Sequence, residues 1–333
     1  MQRIARYAGK AAFAGSVVLA ALVDAGCVRR DLEDYPGEGY VTVNVDWAGS
    51  GAPSANHTTR LLFYDKDGKL FREVNNVGTK YQAVFPKGEY SVVAHNEDMG
   101  NTDWRNNDNI ATAETFAVGR EYEFGHHPEG VDCLEVPTEV YVTNNFHQSD
   151  KLVVSDISNP EVSLTPTDRL HHLTLRFHVS VTGNETVESI GGAIGGVSGS
   201  WFAGTASHEK VYHFAHEFHA VPTESEEGGD GESTRAATQH WEALVNMFGF
   251  QTTEASEWVH PLYMSLQVKD GPLLTAAYDL TPTVYSILNE QEGELPRKFA
   301  IDVEINVTGA GFSANVIPWD ESGTGNGSPR PQK

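Results

Sequence analysis

Residues 40–47 read Tyr40-Val41-Thr42-Val43-Asn44-Val45-Asp46-Trp47, and this stretch decides the fold class. Its three valines and its tryptophan fall on every second position, with polar residues between them. Alternation with a period of two places one set of side chains on each face of an extended chain. The stretch therefore predicts a half-buried β-strand.

Short strands separated by turn residues continue along the chain. Leu61–Tyr64 and Lys69–Phe71 flank Asp67-Gly68, a pair that favours a tight hairpin. Met99–Asp108 is predicted to be a polar loop, and Gln239–Phe248 is predicted to form a short helix. The further expected strands are Tyr81–Phe85, Tyr90–His95, Thr112–Val118, Val136–Asn144, Val162–Thr165, Leu170–Val181, Pro261–Val268, Leu273–Leu280, Phe299–Val307 and Phe312–Trp319.

This pattern predicts two all-β domains in tandem, divided near Thr165-Pro166-Thr167. The expected organisation is a signal peptide at 1–26, a tether at 27–39, β-sandwiches at 40–165 and 166–320, and a flexible tail at 321–333. Thr223–Thr234 is an acidic, glycine-rich loop without apolar residues.

The composition excludes several classes of protein. The 333 residues include 46 acidic and 23 basic side chains, giving a formal net charge of −23. A chain this acidic repels phosphate backbones, so no nucleic-acid partner is expected. The 2 cysteines, Cys27 and Cys133, exclude a disulfide-rich scaffold and a multi-cysteine metal site.

The N-terminus has the pattern of an exported protein. Basic residues precede the short apolar run Ala11–Val23, and small residues then lead to Cys27. A run of this length is typical of a secretory signal peptide and too short to span a bilayer. Ala25-Gly26-Cys27 resembles the bacterial lipobox, in which the cysteine is acylated, although Asp24 stands where leucine is usual. Lipidation of Cys27 is therefore predicted, and Cys133 then has no disulfide partner and is interpreted as a small, half-buried apolar residue.

Two motifs resemble ligand loops but lack essential parts. Asp65-Lys66-Asp67-Gly68 begins like a calcium loop, yet the further oxygen ligands are missing, so a hairpin turn is predicted. The run Gly191–Gly196 contains neither a P-loop lysine nor the spacing of a dinucleotide-binding turn. We interpret it as backbone crossing between sheets.

Histidines cluster in two places in the second half. His208, His213, His216 and His219 lie close together in sequence, and His171, His172 and His178 lie on an earlier predicted strand. The spacing His216-Glu217-Phe218-His219 misses the zinc motif His-Glu-x-x-His. On a strand, His216 faces away from His213 and His219. Solvent-facing positions are therefore expected rather than a metal site.

The sequence contains no nucleophile elbow and no recognisable catalytic pair. Trp104 and Trp258, near predicted loops, are candidates for stacking on sugar rings. They leave open an alternative function as a surface glycan-binding lipoprotein of a polysaccharide-uptake system. A zinc-dependent enzyme at the histidines is a third alternative.

Several of these segments together resemble a known family. They are Cys27–Leu32, Tyr40–Trp47, Leu61–Tyr64 with its Asp-Gly turn, Phe85–Tyr90 and Ile190–Val197. Together they resemble the fimbrillin-like outer-membrane lipoproteins of Bacteroidales, close to fimbrial anchor and accessory subunits. The resemblance spans Cys27 to about Trp319, and the acidic insertion Thr223–Thr234 departs from it.

The resemblance implies two tandem transthyretin-like, Greek-key β-sandwich domains on an outer-membrane lipid anchor at the cell surface. It implies a role in the assembly or adhesion of type V fimbriae, with neither catalytic residues nor a cofactor nor a metal. The expected partners are fimbrial subunits, joined by β-strand addition, and the outer-membrane lipid reached through acylated Cys27.

Overall fold

A computed structural model describes residues 37–52, 58–144, 151–156, 158–182, 186–208, 213–223, 238–251, 260–291, 294–308 and 311–317. The predicted signal peptide, the predicted tether up to residue 36, most of the acidic loop and the predicted tail lie outside these residues. β-Strands dominate the described part of the chain. Within it, no helix has both the length and the apolar character needed to cross a membrane.

The strands up to residue 168 have at most 9 residues, and a 3-10 turn accompanies them at Ala48–Ser50. They are β1 (Glu38–Val45), β2 (Thr59–Tyr64), β3 (Leu70–Val77), β4 (Lys80–Pro86), β5 (Gly88–Asn96), β6 (Thr102–Arg105), β7 (Glu114–Ala117), β8 (Gly119–Arg120), β9 (Asp132–Leu134), β10 (Tyr141–Asn144), β11 (Leu152–Val154), β12 (Glu161–Leu164) and β13 (Thr167–Asp168).

Most strands after residue 168 have 7 to 11 residues, and an α-helix lies between two of them. They are β14 (His171–Val181), β15 (Val187–Val197), β16 (Ser200–Phe202), β17 (Ser207–His208), β18 (Phe214–Thr223), β19 (Thr238–Met247), β20 (Pro261–Val268), β21 (Leu273–Asp279), α1 (Thr281–Glu290), β22 (Lys298–Thr308) and β23 (Gly311–Ile317).

Two sheets pack face to face in the first half. One has the order β12-β1-β4, and the other has the order β13-β10-β5-β2-β3 with β11 added to β5. The strand predicted at residues 40–47 is confirmed, because the side chains of Val41, Val43 and Val45 are buried between the sheets together with Trp47. This apolar layer holds the first sandwich together.

The predicted hairpin at Asp67-Gly68 is also confirmed. It joins β2 to β3 in antiparallel pairing, and Gly68 has a φ of 77°, a conformation that favours glycine. The Asp65 carboxylate accepts hydrogen bonds from the backbone N–H groups of Asp67 and Lys69 at 2.9 and 3.0 Å. Asp65 therefore stabilises the turn itself.

The second half forms a continuous sheet folded over its own core. The strand order is β21-β20-β15-β18-β19-β14-β22-β23. β18 belongs to both layers, since its first part pairs with β15 and its last three residues pair with β19. Leu173, Leu175, Phe177 and Val179 of β14 alternate into the core, as their spacing predicts.

Strands from the first half extend into the sheets of the second. β7 pairs with β16, and β9 pairs in parallel with β18. A third buried cluster joins Leu62 and Tyr64 to Leu170, Trp201 and Phe248. The two halves are thus connected by backbone pairing and by apolar packing, and the division at residue 165 stays a prediction.

Two local predictions are wrong, and one helix was not predicted. Gln239–Phe248 lies mostly in strand β19, where Trp241, Ala243, Val245 and Met247 are buried at every second position. The polar loop Met99–Asp108 contains β6. The helix α1 was not predicted; it begins after Leu280 and buries Val284, Ile287 and Leu288 on one face.

We expected the glycine run to cross between sheets, and this prediction is wrong. The run lies inside the central strand β15. β15 is hydrogen-bonded to β18 on one side and to β20 on the other. A Cβ atom at Gly192 would overlap the carbonyl oxygen of Tyr263, and one at Gly191 would overlap the ring of Phe124. Glycine is needed here because neighbouring groups approach the backbone closely.

Candidate functional site

The two end strands of the second-half sheet, β21 and β23, approach one another and leave a gap that we call the seam. Within the described residues, β21 pairs only with β20, and β23 pairs only with β22. The hydroxyl of Tyr278 on β21 accepts a hydrogen bond from the backbone N–H of Ala314 on β23 at 2.8 Å. This contact bridges the seam through a side chain and not through a strand ladder.

Apolar side chains line the seam and are only half buried. Leu274 and Tyr278 on one side, and Phe312, Ala314 and Val316 on the other, pack against the core without being covered completely. A sheet edge with this character can accept a further strand, because the added strand would pair with free backbone groups and cover apolar surface.

The hydrogen bond of Ala314 shows which backbone groups face the seam. In an antiparallel pair, the N–H and C=O groups of successive residues point alternately toward the partner strand and away from it. Because the N–H of Ala314 points away from β22, those of Phe312 and Val316 do so as well. β23 thus presents a row of three residues to an incoming strand.

Several residues singled out from the sequence lie outside the described residues. These include the predicted lipidation site Cys27, the predicted tether that follows it up to residue 36, and Trp258. Their roles stay predictions.

Trp104 is not the exposed stacking surface expected from the sequence. It lies half buried on β6, and the ring of His95 stacks on it. The two ring centroids are 4.5 Å apart, and the angle between the ring planes is 12°. Burial lowers the pKa of His95 to about 4, so this ring is neutral at pH 7. The face covered by His95 is closed to a sugar ring.

The later histidines do not converge on one point. His216 is fully buried and donates from Nδ1 to the carbonyl oxygen of Leu134 at 3.1 Å, and burial lowers its pKa to about 4. This corrects the solvent-facing position expected for His216. His219 and His213 are exposed, and His219 lies 3.3 Å from the carboxylate of Glu123.

The earlier histidines have separate partners. His172 lies 2.7 Å from Asp168, and that hydrogen bond raises its pKa. His178 lies 2.8 Å from Asp302. His171 and His208 instead line one cavity. Among the residues the structure describes, no group of three or more histidine, cysteine or carboxylate side chains is placed to hold a metal ion.

Cys133 is more buried than the half-buried position we predicted, with 3% of its surface exposed on β9. Burial, with a smaller contribution from the negative charge of Glu217, raises the pKa of the thiol to about 11. The thiol is therefore protonated at neutral pH and is a poor nucleophile.

We predict that a thiol reagent will not label Cys133 in the native chain at pH 8. The expected labelling is below a tenth of that reached in denaturant. The reagent cannot reach the buried sulfur, and the reactive thiolate does not form at this pH. A Cys27→Ala variant removes the other cysteine, and mass spectrometry then counts the adducts. Rapid native labelling of this variant would contradict the buried position.

The chain was compared with known proteins by sequence. Residues 26–213 match the profile of a family described as a domain of unknown function, DUF5119. A Bacteroides ovatus protein named "putative fimbrium anchoring subunit Fim4B" is 29% identical over 186 residues, covering 54% of this chain and 52% of the relative. The chain thus spans about half the length of that curated relative.

Comparison with solved structures supports the fold. A crystal structure entitled "putative adhesin" from Bacteroides ovatus has a TM-score of 0.53 at 20% identity, covering 86% of this chain and 95% of that one. Another with that description, from Bacteroides thetaiotaomicron, has a TM-score of 0.51 at 11% identity, covering 87% and 98%. The all-β, sandwich-type fold class is confirmed.

The profile match extends over more than half of the sequence and includes the predicted lipobox cysteine, β1 and the glycine run of β15. The chain therefore belongs to the DUF5119 family, and its sequence is similar to that of a fimbrium anchoring subunit.

Proposed function

We propose that this protein is a non-enzymatic accessory subunit of cell-surface fimbriae, acting in fibre anchoring or adhesion. The observation that carries the proposal is the 186-residue similarity to a fimbrium anchoring subunit. The protein is held in the outer membrane by lipid on Cys27, and its sandwiches face the exterior. The high negative charge then lies on a surface that contacts other proteins and not nucleic acid.

β-Strand addition at the seam is the proposed way of joining a neighbouring fimbrial subunit. Support comes from the edges of β21 and β23, which have no strand partner among the described residues, and from the half-buried apolar residues between them. A donated strand would displace the hydroxyl of Tyr278 and pair with the backbone of Phe312, Ala314 and Val316. Main-chain hydrogen bonds give such a contact its strength.

Replacing Val316 by proline is expected to weaken capture of fimbrial subunits at least fivefold. Proline removes an N–H group that faces the seam, and one backbone hydrogen bond contributes about 1 kcal/mol. The bond ladder between β22 and β23 is kept, because the N–H of Val316 does not point toward β22. The measurement is the amount of fimbrial subunit recovered with the protein from fimbriated cells.

Val316→Ala is the control, since it keeps the N–H group although it removes more apolar side chain than the proline variant does. It should recover fimbrial subunits nearly as well as the unchanged chain. Equal capture by the proline variant would place the contact elsewhere. Recovery of no fimbrial subunit by the unchanged chain would contradict the whole proposal.

N-terminal sequencing of the surface form separates the anchoring role from a polymerising one. An anchor keeps acylated Cys27 as its first residue. A polymerising subunit loses a segment through a protease that cuts after arginine. The glycan-binding alternative is not adopted for Trp104, since His95 covers one face of that ring. For Trp258, which lies outside the described residues, it stays a prediction.

A further inference from the structure

A cavity of about 500 Å³ lies where α1 and β17 cover the beginning of β14. It is separate from the seam, and the fimbrial proposal does not use it. Aromatic and aliphatic side chains form part of its wall, including Tyr285 and Leu288 from α1 and Leu295 after it. Its volume is suited to a small ligand or to one or two sugar rings.

Two arginines line this cavity and have no carboxylate partner within the described ranges. Arg169 donates from Nε and Nη2 to the carbonyl oxygen of Val142, and its guanidinium stacks over Trp201 at 4.8 Å. Arg297 is exposed and makes one long hydrogen bond, 3.4 Å, to the carbonyl oxygen of Leu170. The remaining N–H groups of both guanidiniums are free to meet a ligand.

The electrostatics at this cavity favour an anion. Burial, and then the positive charge of Arg297, lowers the pKa of Arg169 to about 10, and the negative charge of Asp168 offsets this only in part. Unneutralised cations are unexpected in a chain with twice as many acidic as basic residues. A carboxylate can accept paired hydrogen bonds from guanidinium groups and would relieve this repulsion.

The cavity also contains protein groups that can form hydrogen bonds with the hydroxyl groups of a ligand. His171 donates from Nδ1 to the carbonyl oxygen of Pro296 at 3.0 Å, so its Nε2 keeps a lone pair that can accept a hydrogen bond. Burial lowers the pKa of His171 to about 4, so the ring is neutral at pH 7. Asn289 and the exposed carboxylate of Glu294 lie at the rim, where they can bind further hydroxyls.

We propose that this cavity binds a sugar that carries a carboxylate, such as a uronic acid or sialic acid residue of a glycan. Arg169 and Arg297 bind the carboxylate, His171 accepts from a ring hydroxyl, and the ring packs against Tyr285 and Leu295. The combination of two arginines without a carboxylate ion pair among the described residues, a neutral acceptor and an apolar wall selects an acidic sugar over a neutral one or a simple anion.

The test measures binding of the purified full chain by calorimetry. The probes are trigalacturonate and its methyl ester, 3′-sialyllactose and lactose, and free acetate. We expect at least one acidic sugar to bind at least tenfold more tightly than its neutral counterpart, and acetate to bind more weakly still. The identity of the acidic sugar that binds shows whether the carboxylate comes from a uronic acid or from sialic acid.

Arg297→Gln should weaken binding of that sugar at least tenfold. Lys298→Gln is the matched control, because it removes the same charge at an exposed neighbour that does not line the cavity, and it should leave binding unchanged. The proposal is overturned if neither acidic sugar binds at millimolar concentration, if the neutral sugars or acetate bind equally well, or if both variants behave alike. Subunit capture by these variants stays unchanged, which separates this result from the fimbrial proposal.

Discussion

Replacing Gly192 by alanine is expected to lower the free energy of unfolding by about 3 kcal/mol. Gly192 lies in the middle of β15, paired with Phe218 on β18 and Met264 on β20. The added Cβ would overlap the carbonyl oxygen of Tyr263. Because that oxygen belongs to the backbone of the neighbouring strand, it cannot rotate away as a side chain would. The strands must separate, and the hydrogen bonds between them weaken.

Chemical denaturation followed by circular dichroism measures this effect. Gly78→Ala is the matched control, since a Cβ at Gly78 meets no atom within 4 Å. It should change the free energy of unfolding by no more than about 0.5 kcal/mol. If the two variants were equally stable, the close approach of β15 and β20 would be refuted. A normal far-UV spectrum with a lowered midpoint is the expected signature for Gly192→Ala.

The sequence predicts those strands best whose two faces differ in polarity. β1 and β14 were found because polar side chains stand between Val41, Val43 and Val45, and between Leu173, Leu175 and Phe177. One face of such a strand meets the core and the other meets solvent, so the period of two is visible. β20 was predicted with its observed bounds for a similar reason.

Strands and helices whose pattern is less regular were not predicted correctly. β15 is buried on both faces, and its glycines do not show the alternation of a strand. In β19 the exposed, apolar Leu244 stands between buried residues and obscures the difference between the two faces, and α1 is too short for its one buried face to stand out. Local periodicity is weak evidence where tertiary packing decides the conformation.

The candidate sites depend on contacts between residues far apart in sequence. The seam exists because β21 and β23, the two end strands of one sheet, approach each other. No local sequence motif encodes this approach. Glu217 shows the same limit: it is buried and accepts hydrogen bonds from the backbone N–H groups of Glu123 and Phe124 at 2.9 Å. In the sequence it is one acidic residue among 46. Only the fold distinguishes it.

Replacing Cys27 by alanine is expected to move the protein from the membrane fraction to the soluble fraction almost completely. Each buried methylene of an acyl chain contributes about 0.8 kcal/mol, and more than one chain is needed for stable attachment. Without the cysteine no chain is attached. The measurements are incorporation of a labelled fatty acid and partitioning into detergent.

Cys133→Ala is the matched control, because it removes the buried thiol and leaves the predicted acylation site intact. It should keep both the label and the membrane association, whereas Cys27→Ala should lose both. Asp24, which occupies the usual leucine position of the lipobox, makes this test informative. Without label on the unchanged chain, the lipobox interpretation would fail, and the basic and apolar residues up to Val23 would then act only as an export signal. Label that depends on Cys27 would instead show that the processing enzymes accept aspartate at this position, with the sandwiches tethered to the membrane through residues 27–39.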